Sequence, residues 1–323
     1  MVTKSAQSIR IIYMGTPDFA VAPLKALVEN GYNVVAVVTV PDKPAGRGQK
    51  LQQSAVKVYA QTANLPVLQP PKLKDEEFLN TLRRYDGELF IVVAFRMLPE
   101  VVWQIPTLGT FNLHASLLPQ YRGAAPINRA IINGEAVTGV TTFFINNEID
   151  AGKIIFSEKV EITHNDNAAT LHDKLMEAGA VLVLKTVDAI ASDSVNLQQQ
   201  PESENLKTAP KIFKEMCKID WSQRPEEIYN FVRGLSPYPA AWCELTGKNQ
   251  QSVSAKIYSA AYENIDHHLP FGTVKSDGKS FLKIACNGGF ISITDIQLAG
   301  KKRLSVREFL TGFRDIEDYV VAP

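Results

Sequence analysis

The sequence is short of several features that would place it quickly. It has no surplus of charge: Lys plus Arg total 34 and Asp plus Glu total 34. A nucleic-acid partner would therefore have to be held by local basic patches and not by a global field. It has three cysteines, Cys217, Cys243 and Cys286, far apart, without C-x-x-C spacing and, being odd in number, unable all to pair within one chain. That argues against a disulfide frame or a thiolate metal site and for reduced thiols in a reducing compartment. No apolar run approaches the roughly 20 residues that a membrane-spanning helix needs, and residues 1–10 are polar, without a hydrophobic signal core. A cytoplasmic protein with no membrane partner is the expectation. Gly15 follows an apolar run and invites a dinucleotide-binding reading, but Thr16, Pro17 and Asp18 follow directly and the G-x-G-x-x-G fingerprint is missing, which argues against a nicotinamide oxidoreductase.

What the chain does have is length and an alternating pattern. At 323 residues it exceeds one usual domain, so two cooperating domains are expected, each able to bury a core. Residues 10–14 form a short apolar run. Gly15, Thr16, Pro17 and Asp18 then supply a turn glycine, a capping threonine, a proline suited to the first helical position and a carboxylate that complements a helix dipole. Strand, tight turn and helix is the reading. Runs rich in Val and Ile at 33–39 and 88–94 predict buried strands, and 54–62 and 75–84 predict helices. Residues 111–114 add a strand, 125–132 a helix, and 139–145 and 154–162 two strands able to pair. The longest helix is expected over 168–191, with Leu171, Leu175, Ala178 and Leu182 on one buried face. Such alternation predicts an α/β unit with right-handed crossovers and a mostly parallel sheet covered on both faces.

From 192 to 210 the chain turns polar, through Gln198, Gln199, Gln200, Pro201 and Glu202, a composition that reads as a linker. Beyond it, one helix at 225–235 precedes short β-type runs at 242–245, 254–258, 272–275, 281–285 and 291–297. A small barrel or sandwich is expected there, an oligonucleotide-binding type of barrel being one option.

The informative stretch is 111–126. If 111–114 is a strand, Asn112 and His114 share one face and Phe111 and Leu113 the other. An amide and an imidazole then converge beyond the carboxyl end of a strand, where open α/β sheets place ligands. Asn112 can donate a hydrogen bond to a developing oxyanion, His114 can exchange a proton near neutral pH, and Asp150 could orient the imidazole. A lone His at a strand end is as readily a satisfied structural histidine, and spacing alone does not bring Asp150 to His114.

The run Asn112-Leu113-His114, Ser116-Leu117-Leu118-Pro119, Tyr121-Arg122-Gly123-Ala124-Ala125-Pro126, then Gly134-Glu135, Thr138-Gly139-Val140-Thr141 and Asp150-Ala151-Gly152-Lys153-Ile154 resembles the signature of the folate-dependent formyltransferase superfamily. Two further regions resemble its branch that acts on methionyl initiator tRNA. One is Gly15-Thr16-Pro17-Asp18-Phe19-Ala20 with the Pro41–Lys50 loop. The other is the tail, with Ile219-Asp220-Trp221-Ser222, Pro237-Tyr238-Pro239-Ala240-Ala241-Trp242 and Gly300-Lys301-Lys302-Arg303. The resemblance implies a Rossmann-like catalytic domain over 1–191, a linker over 192–210 and an OB-like C-terminal barrel over 211–323 that helps grip tRNA. It implies a catalytic trio at Asn112, His114 and Asp150, with 10-formyltetrahydrofolate as co-substrate, no metal, and Ser116, Leu117, Leu118 and Pro119 at the folate. The chain departs from the family at Phe95-Arg96, where a Tyr-Gly pair is common, on the expected wall of the folate pocket.

The loop at 41–50 carries Lys43, Arg47 and Lys50 among two prolines and two glycines. It reads either as a solvated loop or as a clamp on the tRNA acceptor stem. Lys301, Lys302, Arg303 and Arg307 form the densest basic cluster of the second domain, a solvated face or a phosphate track. Phe19 lines a methionine pocket by resemblance, or is an ordinary core residue. His267-His268, and His164 with His172, lack carboxylate or thiolate partners at metal-ligand spacing. Another enzyme of the same superfamily, a formyltransferase acting on a sugar nucleotide or glycinamide ribonucleotide or a formyltetrahydrofolate hydrolase, and a non-catalytic RNA-binding protein are the competing readings. A monomer is the default expectation.

Overall fold

The computed structural model describes residues 5–45, 50–201 and 205–321. The chain divides into two compact units. The first comprises residues 1–123, 137–161 and 172–208, and the second 124–136, 162–171 and 209–323.

The first unit is built on a seven-stranded Rossmann-like sheet. Its strands run in the spatial order Ile154–Glu161, Val137–Phe144, Thr110–His114, Leu89–Val93, Ile11–Gly15, Val34–Val38 and Val67–Leu68. The last five pair parallel, and Val137–Phe144 runs antiparallel to both of its neighbours. Ile11–Gly15 and Leu89–Val93 are buried at every position, as near-continuous apolar runs in a doubly covered parallel sheet must be. The chain begins at Ile11–Gly15, proceeds to one edge, then crosses to Leu89–Val93 and builds outward the other way, so the order reverses beside the first strand. Crevices outside the carboxyl ends of strands form at such a reversal.

The turn after Gly15 differs from its reading in sequence. Asp18–Ala20 is a short 3-10 turn with Pro17 as an extended N-cap, and the α-helix proper starts later, at Val21–Glu29. Thr16 does not cap it; its Oγ1 is buried without a hydrogen-bond partner. Gly15 is required because a Cβ there would lie 2.7 Å from Cβ of Ala20 and 3.1 Å from the Val93 carbonyl oxygen. In the long helix Ala168–Ala191, Leu171, Leu175 and Leu182 are buried as the spacing predicts, while Ala178 is only half-buried. Gly179 lets that helix approach the sheet, since a Cβ on it would meet Leu113 Cδ2 at 2.7 Å. Among the described residues no helix is long and apolar enough to cross a membrane.

The second unit contains a nearly closed antiparallel barrel, ordered Val274–Ser276, Leu282–Cys286, Gly289–Leu298, Ser252–Glu263, Ala241–Gly247 and Tyr319–Val321. A bridge from Thr273 to Val320 joins its two ends. Gly272 makes that closure possible. Its φ of +81 lies in the left-handed region that glycine tolerates, and a Cβ would sit 1.9 Å from the Val321 carbonyl oxygen. The core includes Trp221, Ile257, Ile284 and Ile291, all fully buried, each isoleucine contributing about 1.5–3 kcal/mol through removal from water. The Pro225–Leu235 helix packs with Pro126–Ile132, fixed by the Asn128 side-chain amide donating to the Gly234 carbonyl at 2.7 Å.

Candidate active site

Thr110–His114 places its residues on alternating faces. Phe111 and Leu113 are buried in the core, while Asn112 is half-buried and borders a cavity of about 260 Å³. Val92, Phe95, Arg96, Trp103, Phe143 and Asp150 also line it. Asn112 and Asp150, far apart in sequence, thus share one cavity. His114 is only 6% exposed and stands behind Asp150, not in the cavity wall.

The imidazole is held from both sides. Its Nε2 lies 2.8 Å from the Tyr121 carbonyl oxygen. A carbonyl can only accept, so this nitrogen carries the proton and donates. Nδ1 is left as the nitrogen able to exchange a proton, and it lies 3.7 Å from Oδ2 of Asp150. That separation is an ion-pair distance, beyond a direct hydrogen bond. The same Oδ2 accepts from the Gly123 backbone N–H at 2.9 Å.

Asp150 sits on a constrained loop. Its φ of 51 is in the left-handed region, where a residue with a side chain remains only if its surroundings hold it. Gly152 closes the loop against the sheet; a Cβ there would fall 1.6 Å from the Phe144 carbonyl oxygen. Gln200, from the stretch that composition reads as a linker, donates through Nε2 to the carbonyls of Asp150 at 2.9 Å and Gly152 at 2.8 Å. Gln198 bridges to Ile154 in the same segment. No signal in the sequence connects these glutamines to Asp150.

The Ser116–Pro119 turn does not border the cavity. Ser116 is fully buried and its hydroxyl donates to the Gln120 carbonyl at 2.6 Å. Thr141 Oγ1 donates to the Ser116 carbonyl at 2.7 Å and accepts from the Leu118 N–H at 3.2 Å. Leu117 packs over Gly139, Leu118 is buried with Phe143 and Ile154, and Pro119 follows a cis peptide bond. Leu118 thus packs against Phe143, which lines the cavity together with Phe95, Arg96 and the loop up to Asp150. Arg96, at the departure from the family pattern, donates to the carbonyls of Pro71, at 3.0 Å, and Pro70, and its guanidinium stacks near the Phe95 ring. Arg96 therefore ties the cavity wall to the neighbouring Pro70–Pro71 segment.

Phe19 is buried at 6% exposure, its ring edge-on to His172 at 5.4 Å. Lys43 is exposed on a hairpin formed by Lys43–Ala45 and Lys50–Gln52, in which Lys50 pairs with Ala45. Arg47 lies outside the described residues. The hairpin's stem is anchored by Asp42, whose carboxylate accepts from Lys57 Nζ at 2.6 Å and Gln69 Nε2 at 2.8 Å. The bond from Lys57 is the first cause of a carboxyl pKa below the ordinary aspartate value.

In the second unit Lys301 and Lys302 are exposed. Arg303 is engaged: its guanidinium makes a two-pronged pair with Asp295, Nε to Oδ1 at 2.8 Å and a terminal nitrogen to Oδ2 at 2.6 Å, and lies 4.3 Å from the Tyr258 ring centre. The bond to Asp295 is the first cause that raises its pKa. Among the described residues no group of three or more His, Cys, Asp or Glu side chains is placed to hold a metal ion.

A family model described as formyl transferase matches residues 8–187, and one described as formyl transferase, C-terminal domain, matches residues 211–314. The chain is 57% identical to the methionyl-tRNA formyltransferase of Bacteroides thetaiotaomicron over 316 residues, 97% of this chain and 98% of that protein. It is 56% identical to the protein of the same name from Parabacteroides distasonis over 320 residues, 98% of this chain and 99% of that one. Among solved structures its fold resembles WlaRD, a sugar 3N-formyl transferase crystallised with dTDP and 5-N-formyl-THF, at TM-score 0.64 and 22% identity over 91% of this chain and 99% of that one. HypX from Aquifex aeolicus, in complex with tetrahydrofolic acid, aligns at TM-score 0.64 and 18% identity, covering 95% of this chain and 48% of that chain.

Proposed function

This chain belongs to the formyl transferase family, and from that premise we propose that it moves the formyl group of 10-formyltetrahydrofolate onto the α-amino group of methionyl initiator tRNA. The observation that carries the reading is the meeting of Asn112 and Asp150 in one cavity, with His114 3.7 Å behind Asp150. The relatives at 57% and 56% identity, which share nearly the whole chain, supply the substrate class by their names.

The α-amine attacks the formyl carbon, forming a C–N bond and a tetrahedral intermediate whose former carbonyl oxygen carries the negative charge. Asn112 donates a hydrogen bond to that oxygen through its amide. A preorganised donor of this kind is worth about 10²–10³ in rate. The attacking nitrogen must lose a proton as the C–N10 bond breaks, and N10 must gain one. Asp150 Oδ2 and His114 Nδ1 form the relay able to hold that proton between the two events, either as base or as stabiliser of the charged intermediate. The amine's proton ends on N10, so the step balances with no other reactant. Ser116, Leu117, Leu118 and Pro119 serve the folate, Leu118 through Phe143 of the cavity wall, with Phe95 and Arg96 beside it.

Residues 1–191 then carry the chemistry, 192–210 connect the domains while Gln198 and Gln200 pack against the 150–154 segment, and 211–323 form the barrel that grips tRNA. Phe19 serves the methionine side chain. Lys43, Arg47 and Lys50 neutralise acceptor-stem phosphates, as Lys301, Lys302 and Arg303 do from the barrel. The enzyme works as a monomer in the cytoplasm, where charged tRNA is. The test is formylation by the purified protein of methionyl initiator tRNA, methionyl elongator tRNA and a 3-amino sugar nucleotide, each with 10-formyltetrahydrofolate. Preference for the initiator is expected, and transfer to the sugar nucleotide instead would overturn the reading.

A further inference from the structure

Gln200 lies outside both stretches that the family models match, 8–187 and 211–314, in a run whose composition gives no reason for order. It is nonetheless 4% exposed. Every hydrogen-bonding capacity of its amide is used. The two Nε2 protons go to the carbonyls of Asp150 at 2.9 Å and Gly152 at 2.8 Å. Oε1 accepts from Arg122 twice, from Nε at 3.0 Å and from a terminal nitrogen at 2.6 Å. Only an amide offers two donors and a two-fold acceptor on one planar group. The backbone on either side is fixed as well, because Gln198 exchanges hydrogen bonds with Ile154 at 2.8 and 2.9 Å.

These bonds converge on one carboxylate. Asp150 holds a left-handed φ of 51, and its carbonyl is tied down by Gln200. Its Oδ2 accepts from the N–H of Gly123, the residue after Arg122, at 2.9 Å, and Arg122 is held by the same amide. Gln200 therefore restrains both the backbone that carries the carboxylate and the segment that donates to it. A buried polar group with all partners satisfied gives a rigid local geometry, whereas a loop in a sparsely populated conformation relaxes once its restraint is removed.

We propose that Gln200 is a positioning residue for formyl transfer, holding the Asp150 carboxylate at its station beside His114. The proposal rests on the reading that Asp150 serves that reaction. A displacement of about 1 Å in a catalytic constellation costs up to about a hundredfold in rate. Gln200→Ala in the full chain is therefore expected to lower the single-turnover formylation rate of methionyl initiator tRNA by about ten- to a hundredfold. The KM values for folate and tRNA should stay within about twofold, as fits an interaction that acts in the transition state.

Gln200→Glu keeps the side chain's size and the partner of Arg122 but turns an acceptor toward the Asp150 and Gly152 carbonyls. It is expected to show the same loss, and it decides the matter if Gln200→Ala does not fold. In an Asp150→Ala background, Gln200→Ala is expected to add no further loss, since residues acting through one another are non-additive. A rate unchanged by both variants, a change confined to KM, or an effect that multiplies onto Asp150→Ala would overturn the proposal. Transfer by the unaltered chain is measured first. Its absence would fail the functional reading, while transfer with an indifferent Gln200 would fail this inference alone.

Discussion

Nδ1 of His114 lies 3.7 Å from Oδ2 of Asp150, both side chains largely shielded from water. The other ring nitrogen is committed to the Tyr121 carbonyl, so the imidazole can exchange a proton only on the side that faces the carboxylate. His114→Ala and Asp150→Ala each remove one partner of this relay while leaving the sheet intact. Turnover is expected to fall by about 10²–10⁴ for each, with tRNA affinity within about twofold of the parent. Circular dichroism and a tRNA-binding titration beside the rate assay check this. Near-normal turnover in both variants would place the chemistry elsewhere.

The basic residues proposed for tRNA differ in how available their charge is. Lys302 is exposed, whereas Arg303 is bound two-pronged to Asp295 and lies against Tyr258. Lys302→Ala, like Arg47→Ala, should flatten the log–log dependence of tRNA KM on salt by about 0.7–0.9 for each phosphate that is no longer neutralised. Arg303→Ala should weaken tRNA binding by removing a phosphate contact and by uncovering the Asp295 carboxylate, and adding Asp295→Ala should recover only the second part. Full recovery in the double variant would show that Arg303 does not touch phosphate.

Cys217, Cys243 and Cys286 are all buried. Burial pushes the Cys243 thiol up to about 12 and the Cys286 thiol up to about 11, and it is the first cause that raises Cys217. A raised folded-state pKa favours the neutral thiol. The folded chain should therefore consume little thiol reagent at pH 8, and all three thiols should react once guanidinium unfolds it. The sign for stability follows: the contribution is complete below the ordinary thiol value of about 8.5 and is lost as pH rises toward 11–12, because the unfolded chain ionises first. A native chain that titrates three thiols within minutes at pH 8 would contradict the burial.

The parallel sheet is legible in the sequence because its strands are buried on both faces and so read as unbroken apolar runs, as at Ile11–Gly15 and Leu89–Val93. The pairing of Asn112 with His114 on one strand is equally readable from the period of two. What composition does not give is any relationship created by a loop. Asp150 reaches His114 because residue 150 holds a positive φ and Gly152 tolerates a carbonyl at close range, and neither is a property of sequence spacing. Gln200 is least legible of all. A polar run is expected to stay solvated, and only the matching carbonyls of Asp150 and Gly152 and the guanidinium of Arg122 turn one of its glutamines into a buried bracket. At the start of the first helix, Thr16 has the right chemistry for a cap, but Pro17 and a 3-10 turn take the position.

The proposal that Asn112 and Asp150 serve one reacting carbonyl, with His114 behind Asp150, is tested most directly through Asn112, the member that faces the cavity without belonging to the relay. The measurement is the single-turnover rate of formyl transfer from 10-formyltetrahydrofolate to methionyl initiator tRNA by the parent chain and by Asn112→Ala, with both substrates saturating. The parent is expected to form formylmethionyl-tRNA, and Asn112→Ala to do so about 10²–10³ more slowly while binding both substrates as tightly. Equal rates for the two proteins would contradict the proposed site.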